Sequence, residues 1–456
     1  MRPNGGIASS VVLAILAAAC GGPTPSPSTS AAPSLAPSAT SAATSPSPSG
    51  SPAASLSLDH PIATTGSIAL LAADSSLSIV ETDGTSRPLA DAAGGAFGFP
   101  TWSPDGSRIA VIRAAGADTS VVVLDARAGA QPTEPTVIFR KPGASPFYVY
   151  WTPDGRSVTF LVNDVDGLAL RIAPADGSAP VDGSGKGSLV RTGNPFYFDW
   201  LAQDRLLAHI GTGSEAFLGE IGLDGTPHGK EFEASGDFRS AVASPDHRSI
   251  AFVRGTVGGK GEVVVADRDG SHEHTMTVYG QTAMIFDPNG ASLASIASST
   301  SDGMAGFPLG PLKLIDTSSG DVRTLLDGMV VTFWWSPDGK TIAALRVQPS
   351  VEPAGPSARP SPGPSQEPAT DVRLIFIDVA TGKTLSEPIV RPTSRFVGSL
   401  LAYFDQYALS HRLWAPDSSS ILLPELDASD ATHVVVRYVD GSDPIALDGE
   451  IAFWSP

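Results

Sequence analysis

Short apolar stretches alternate with polar turns along most of the chain. After Asp105-Gly106, the apolar residues 108–113 are followed by the valine-rich residues 120–125 and then by residues 136–139. Such runs, rich in β-branched residues and bounded by Gly, Pro, Asp and Ser, are typical of strands joined by hairpins. A fourth apolar stretch precedes each turn of this kind. The pattern therefore predicts repeated units of four antiparallel strands.

A pentapeptide marks the start of each repeat. It is intact at Trp102-Ser103-Pro104-Asp105-Gly106 and at residues 335–339, and it differs by one residue at 151–155. Degraded copies begin at positions 200, 243, 286 and 414, and residues 454–456 are the start of another copy. A repeat of this length with a strand–turn signature indicates a propeller or a solenoid.

Structural roles are predicted for the Trp and the Asp of this motif. The Trp is expected to pack between neighbouring units. The Asp-Gly pair is expected to form a tight hairpin turn, because Gly tolerates positive φ and Asp can bond its own backbone. The residues concerned are Trp102, Asp105, Trp151, Asp154, Trp335, Asp338, Trp414 and Asp417.

The motif followed by strands that end in a second Asp-Gly turn resembles the TolB-type, WD-repeat-like propeller repeats. The resemblance covers residues from about 66 to 456 and implies an all-β fold, a propeller of four-stranded antiparallel blades, which we assign to residues 59–456. Eight motif copies predict eight blades, with seven as the alternative. Residues 451–454 have no strands after them, and residues 67–91 supply three strands without an inner one. The last strand is therefore expected to complete the first blade, which removes exposed sheet edges.

Two insertions interrupt the repeat between Trp335 and Trp414. Residues 348–370 are rich in Pro and Ser and are predicted to be disordered from their composition. Residues 390–410 carry several aromatic side chains, including Phe396, Phe404 and Tyr407. They are predicted to be a short helix or a lid near one end of the channel, or else to pack against the flank of a blade.

The N-terminus predicts export. Residues 1–19 combine Arg2 with a short apolar segment, as in a signal peptide, and end in small residues before Cys20. This resembles the lipobox of bacterial lipoproteins, although Ala17 stands where Leu is preferred, and it implies lipidation of Cys20. The alternative is an ordinary secretory signal. Residues 20–58, the tether, are nearly all Pro, Ser, Ala, Thr and Gly, and are predicted to be disordered. The expected location is the extracytoplasmic face of a bacterial envelope.

Composition and missing motifs argue against several classes of function. The formal net charge of the 456-residue chain is −18, which argues against nucleic-acid binding because phosphate contacts require clustered Lys and Arg. A single cysteine excludes an intramolecular disulfide. The sequence lacks a Gly-x-Ser-x-Gly elbow, a glycine-rich phosphate loop and a His-Glu-x-x-His zinc motif. His272-Glu273-His274 follows a turn and lacks a clear third ligand. We therefore predict no catalytic residues, no metal, no cofactor and no enzymatic activity.

A binding surface is predicted at the channel mouth where the inner strands begin, opposite the Pro-Asp-Gly turns. Aromatic residues with a few polar groups suit sugars, peptides or side chains of a partner. The leading interpretation is a lipid-anchored binding or scaffold module for a protein, peptide or glycan. The alternative is an envelope enzyme, such as a lactonase, lyase or hydrolase, with its site at this mouth. The candidate residues are Phe147, Tyr148, Phe196, Tyr197, Arg239, Phe333, His411 and Glu450.

Overall fold

The structure is a computed structural model of the chain. It describes residues 54–55, 58, 60–91, 95–127, 129, 134–165, 167–178, 181–182, 185–234, 238–255, 260–298, 308–349 and 370–456. The predicted signal peptide, Cys20 and nearly all of the tether lie outside the described residues. So do residues 350–369 of the predicted disordered insert.

Antiparallel sheets make up the described chain, and three of them have four strands each. In each sheet the inner strand ends at a motif residue or just beyond it, and the next three strands follow outward in chain order. From inner to outer, the strands are Ala96–Trp102, Arg108–Ala115, Asp118–Asp125 and Thr136–Arg140; then Ser145–Trp151, Ser157–Asp164, Gly167–Pro174 and Ser188–Thr192; then Phe196–Ala202, Arg205–Ile210, Phe217–Gly222 and Pro227–Glu231.

The two ends of the repeat region share one sheet. Ile451–Trp454 pairs antiparallel with Ser67–Leu71, with Ile68 opposite Trp454, and Leu77–Glu81, Thr85–Ala90 and Ala54–Ser55 follow outward. This pairing confirms the predicted closure. Its neighbour has three strands, Ser420–Leu426, Thr432–Tyr438 and Ile445–Leu447, with Trp414 bridged to Ile421 on the inner side.

An eleven-stranded sheet covers the repeats between Val242 and Val390. Two of its strands are long and bulged, and each serves as the outer strand of one repeat and the inner strand of the next. Because hydrogen bonding is continuous there, it does not mark the limits of single blades, and the count of eight stays a prediction. Its strands are Val242–Ala243, Ser249–Gly255, Lys260–Asp267, His274–Phe286, Ser292–Ser298, Gly310–Asp316, Val322–Trp335, Thr341–Pro349, Thr370–Asp378, Thr384–Ser386 and Ile389–Val390. A separate hairpin joins Val181–Asp182 to Gly185–Lys186.

Each intact motif folds into the same hydrogen-bonded turn. The hydroxyl of Ser103 donates to Asp105 Oδ1 at 2.6 Å and accepts the N–H of Arg108 at 3.0 Å. Asp105 also accepts the N–H of Ser107, and these bonds hold the pKa of its carboxyl at about 2. Gly106 has φ +69°, so the Gly of the motif permits this turn.

The indole of the motif joins neighbouring inner strands. Trp151 Nε1 donates to the carbonyl of Thr101 at 3.0 Å, and Trp414 Nε1 donates to that of Trp334 at 3.1 Å. Trp102 and Trp335 make the same bond to Phe453 and Ile285. In each case the acceptor directly precedes the first residue of the previous motif. The predicted packing of Trp between units is therefore directional as well as apolar.

At one junction the following motif copy has no Trp. There a buried carboxylate provides the hydrogen bond between neighbouring inner strands instead of the indole. Ala243 occupies that place, and its N–H donates to Asp199 Oδ2 at 2.8 Å. Asp199 belongs to the preceding inner strand and also accepts the N–H of Trp200 at 2.7 Å. The indole N–H of Trp200 has no hydrogen-bond acceptor among the described residues.

Helical residues fill the central channel. We call residues 393–412 the channel segment; it contains α1 (Ser394–Ser399), a 3₁₀ turn at Leu401–Tyr403 and α2 (Phe404–Tyr407). Thr393 caps α1 by accepting the N–H of Phe396. Inner strands on several sides contact this segment, through ring pairs with Phe99, Tyr148, Phe333, Trp334 and Phe453. Of the predicted alternatives, the helix is observed; it lies on the channel axis and not on a blade flank.

The fold is thus an all-β propeller, as predicted from the repeats. None of the helices in the described part of the chain has the length and apolarity to cross a bilayer.

The hydrogen bond from the motif indole can be tested with two matched substitutions. Trp414→Phe removes a bonded indole that is 3% exposed, whereas Trp200→Phe removes an unbonded one that is 4% exposed. Both substitutions remove a similar buried area, so their losses of packing should be alike. Trp414→Phe also removes a hydrogen bond, so its loss of unfolding free energy should be larger by on the order of 1 kcal/mol. Urea unfolding of both variants measures the difference. Equal losses would show that the indole acts through packing alone.

Candidate functional site

A cavity of about 320 Å³ opens at the channel mouth where the inner strands begin. Its walls come from the sheets around Phe147, Phe196 and Arg239, and its remaining side is the channel segment from Ala402 to Tyr407. The Pro-Asp-Gly turns lie at the opposite end of the inner strands. Four aromatic rings of the propeller, those of Phe147, Tyr148, Phe196 and Phe238, line the cavity.

Strained backbone directs two aromatic rings towards the channel axis. Phe99 has φ +54° and Tyr148 has φ +48°, and each lies at a break in the register of its inner strand. Such bulges re-aim side chains, and non-glycine residues rarely adopt these φ values. As a result Phe99 stacks on Tyr407 with ring centroids 5.4 Å apart, while Tyr148 meets Tyr407 edge-on at 5.7 Å. The hydroxyl of Tyr148 donates to the carbonyl of Gln406 at 3.2 Å.

The polar lining of the cavity is mostly uncharged. Carboxamide side chains come from two sheets, from the loop before Phe196 and from the channel segment; they are Asn163, Gln281, Asn194 and Gln406. Carboxamides present both donors and acceptors, so this lining can bond hydroxyl and amide groups of a ligand.

Two charged side chains complete the lining. Arg239 is 8% exposed and donates to Gln281 Oε1 at 2.8 Å, which fixes the orientation of that amide. Asp405 is also 8% exposed, and burial raises the pKa of its carboxyl to about 6 although the hydroxyl of Ser240 bonds to it. The cavity therefore combines a fixed cation with a carboxyl that titrates just below neutral pH.

Two buried groups lie deeper on the channel axis. Burial raises the pKa of Asp199 to about 7, against the opposing effect of the two backbone N–H groups that it accepts. Burial lowers the pKa of His411 to about 4, so its imidazole is neutral at physiological pH. His411 packs between Tyr407 and Phe453, with centroid distances of 5.2 and 4.6 Å.

The eight predicted binding residues divide into two groups. Phe147, Tyr148, Phe196 and Arg239 line the cavity, so the structure brings these four together. The other four are placed elsewhere. Tyr197, Phe333 and His411 are buried at 3% exposure or less, and Phe333 packs on Phe404. Glu450 forms an ion pair with Arg395 of α1. A ligand-binding role for any of the eight stays a prediction.

Asp199 and Asp405 were not identified from the sequence, and Tyr407 was named only as one of the aromatic residues of the insertion. Asp199 has a local signal: it precedes a motif copy without proline, and the following copy has Ala243 in place of Trp. Asp405 and Tyr407 lie in an insertion, where the repeat gives no positional information.

The densest metal-like cluster in the sequence is engaged in ion pairs. His272 Nδ1 lies 2.7 Å from Asp267 Oδ2, and Glu273 pairs with Arg254 at 2.9 Å. No group of three His, Cys, Asp or Glu side chains suited to a metal occurs within the described ranges.

Comparisons with known proteins identify the fold. No family model and no curated protein matches the sequence. Among solved structures, the chain is similar to a eukaryotic initiation factor, with 13% identity over 86% of this chain and 99% of that one and a TM-score of 0.50. TolB from Acinetobacter baumannii matches with 14% identity, covering 86% and 67% of the two chains, with a TM-score of 0.35. TolB is thus a structural neighbour at low identity, and a TolB-type lipoprotein stays a prediction.

A structure from an analysis of two prolyl endopeptidases also matches, with 11% identity and a TM-score of 0.51. The alignment covers 80% of this chain and 50% of the matched one, so this chain spans about half the length of that protein. This match contradicts the prediction that the chain is not an enzyme. That prediction rested on missing sequence motifs, and it was wrong to exclude activity on that ground because the fold itself occurs within enzymes.

The buried carboxyl of Asp199 predicts a specific pH dependence of stability. Because its pKa is about 7 when folded and about 3.9 in an unfolded chain, the folded chain retains a proton that the unfolded chain has released. Its contribution is therefore fully present below about pH 4 and is lost as the pH rises through about 7. Relative to Asp199→Asn, the wild type should lose unfolding free energy from pH 5 to 8, as measured by urea unfolding. Parallel profiles of unfolding free energy against pH for the wild type and Asp199→Asn would contradict this prediction, because every other titratable group is present in both proteins.

Proposed function

We propose that this chain is a lipid-anchored, extracytoplasmic β-propeller that binds an uncharged polar segment of a protein, peptide or glycan at its channel mouth. The observation that supports the proposal most is the cavity in which aromatic rings and four carboxamides converge. Pockets that combine apolar walls with a few convergent polar groups are the usual form of ligand sites.

The chemistry of the lining favours ligands with hydroxyl or amide groups. Aromatic rings such as those of Phe147 and Phe238 accept the apolar faces of sugars and side chains, while Asn163 and Gln281 offer hydrogen bonds. Tyr403 is 38% exposed at the cavity and extends this surface to the solvent. The channel segment fills the axis behind the cavity, so a ligand would rest in the mouth and not pass through it.

A double substitution tests this site. Asn163 and Tyr403 are exposed, so Asn163→Ala/Tyr403→Ala should fold normally and remove one hydrogen bond and one ring from the lining. We expect the intact purified chain to bind members of a peptide array or a glycan array, and the double variant to bind them roughly ten- to a hundredfold more weakly.

Asn289→Ala is the matched control, because Asn289 is exposed on a turn at the opposite face. It should leave the array pattern unchanged. A wild type and a double variant with the same array pattern would place binding elsewhere on the molecule.

The proposed location rests on the N-terminal sequence alone. Cys20 follows the predicted export signal at the place where a diacylglycerol would be attached, and the Pro-rich tether after it would hold the propeller away from the bilayer.

Substitution of the single cysteine tests the anchor. Cys20→Ser cannot form the thioether, so this variant should move from the membrane fraction to the soluble extracytoplasmic fraction. Fractionation followed by immunoblotting measures the shift, and retention of Cys20→Ser in the membrane would disprove the lipid anchor.

A further inference from the structure

A second and larger concavity lies on the face of the Pro-Asp-Gly turns. We call it the bowl; it has a volume of about 630 Å³, and its floor is formed by residues 408–412 at the end of the channel segment. The same segment lines the first cavity with residues 402–407, so it separates the two. The walls are motif indoles, and the rim consists of one motif proline from each of seven copies: Pro104, Pro153, Pro245, Pro288, Pro337, Pro416 and Pro456.

One cation stands out among the bowl's lining residues. The bowl's lining contains five ionisable side chains: Tyr150, Asp199, His247, His411 and Arg412. His411 is neutral at physiological pH, and Asp199 holds its proton below about pH 7. The motif aspartates do not line the bowl, because each carboxylate accepts hydrogen bonds within its own turn. Arg412 is therefore the permanent cation of the bowl, in a chain whose net charge is −18.

Arg412 has donors available for a ligand. Its side chain is exposed inside the bowl, and its guanidinium forms no hydrogen bond or ion pair with any described residue. Burial by the surrounding walls lowers the pKa of Arg412 from its usual value, and the nearby phenol of Tyr150 opposes this shift. A guanidinium matches a carboxylate with two parallel hydrogen bonds, and low-dielectric concave walls strengthen that attraction.

His247 is a second unsatisfied group in the bowl. It occupies the place where intact motifs have Gly, such as Gly106 and Gly155, and it has φ +60° there. Its Nδ1 is buried and has no hydrogen-bond partner among the described residues. Strained non-glycine backbone and an unbonded buried nitrogen are both costly, and such features concentrate at functional sites.

We propose that the bowl binds a carboxylate carried by an apolar body. Arg412 takes the carboxylate through its guanidinium, and the indole and proline walls, together with the imidazole of His247, bury the apolar part. The site is independent of the proposed ligand cavity at the other mouth, because the channel segment lies between them.

Calorimetric titration of the intact chain with benzoate and with benzamide tests the proposal. The two probes share an apolar ring, and only benzoate has the carboxylate. We expect benzoate to bind at least tenfold more tightly than benzamide, and Arg412→Gln to abolish that preference. Arg156→Gln is the matched control, because Arg156 is exposed on the same face but outside the bowl.

A substitution of His247 separates a binding role from a structural one. His247→Gly restores the motif residue that suits this φ, so it should raise the melting temperature and weaken benzoate binding several-fold. A raised melting temperature with unchanged benzoate affinity would remove His247 from the site.

Three results would overturn the proposal. They are no benzoate binding at tens of millimolar, equal affinity for benzoate and benzamide, and a benzoate affinity that Arg412→Gln leaves unchanged. Inorganic phosphate binding as tightly as benzoate would also count against it, since the apolar walls would then contribute nothing.

Discussion

The packing of the motif position between neighbouring inner strands, joined by an indole hydrogen bond at four of the copies, is the interaction on which the propeller depends. Burial of apolar surface drives the sheets together, but it has no direction and does not fix how one sheet sits on the next. The indole hydrogen bond fixes the position of one sheet on the next, because Trp151 donates to the carbonyl of Thr101 and Trp102 donates to that of Phe453. A buried N–H without an acceptor is costly, so each bond also penalises misplacement of its neighbour. The bond to Phe453 extends this linkage across the closure between the two chain ends.

The channel segment gives the ring two unlike faces. By filling the axis it separates a mouth lined with carboxamides from a bowl lined with indoles and prolines. Contacts with inner strands on several sides fix the segment, and the rings of Phe99, Tyr148 and Phe404 carry many of them. Local strain at Phe99 and Tyr148 is maintained by the surrounding sheets, whose packing stabilises these bulges. The insertion is therefore part of the core, although its chain position is that of a loop between repeats.

Departures from the repeat coincide with the chemically unusual residues. Ala243 lacks an indole, and the carboxylate of Asp199 bonds its backbone instead. His247 replaces a glycine, and its nitrogen is unbonded within the described chain. Both substitutions lie in one motif copy, next to a copy that has lost its proline. A regular motif is sufficient for the turn and for the packing between blades. A copy that departs from the motif therefore indicates that its residues serve a further purpose.

The sequence by itself determined the strands, the turns and the closure. These follow from local patterns: Asp105-Gly106 specifies a turn, and residues 451–454 read as an inner strand without outer ones. The sequence also placed Phe147, Tyr148, Phe196 and Arg239 at the cavity, because their positions within the repeat put them at the channel mouth. Only the tertiary structure decided the position of residues 393–412, the burial of Tyr197 and Phe333, and the raised pKa of Asp199 and Asp405. Those properties arise from what surrounds a side chain on every side, and residues distant in the sequence supply those surroundings.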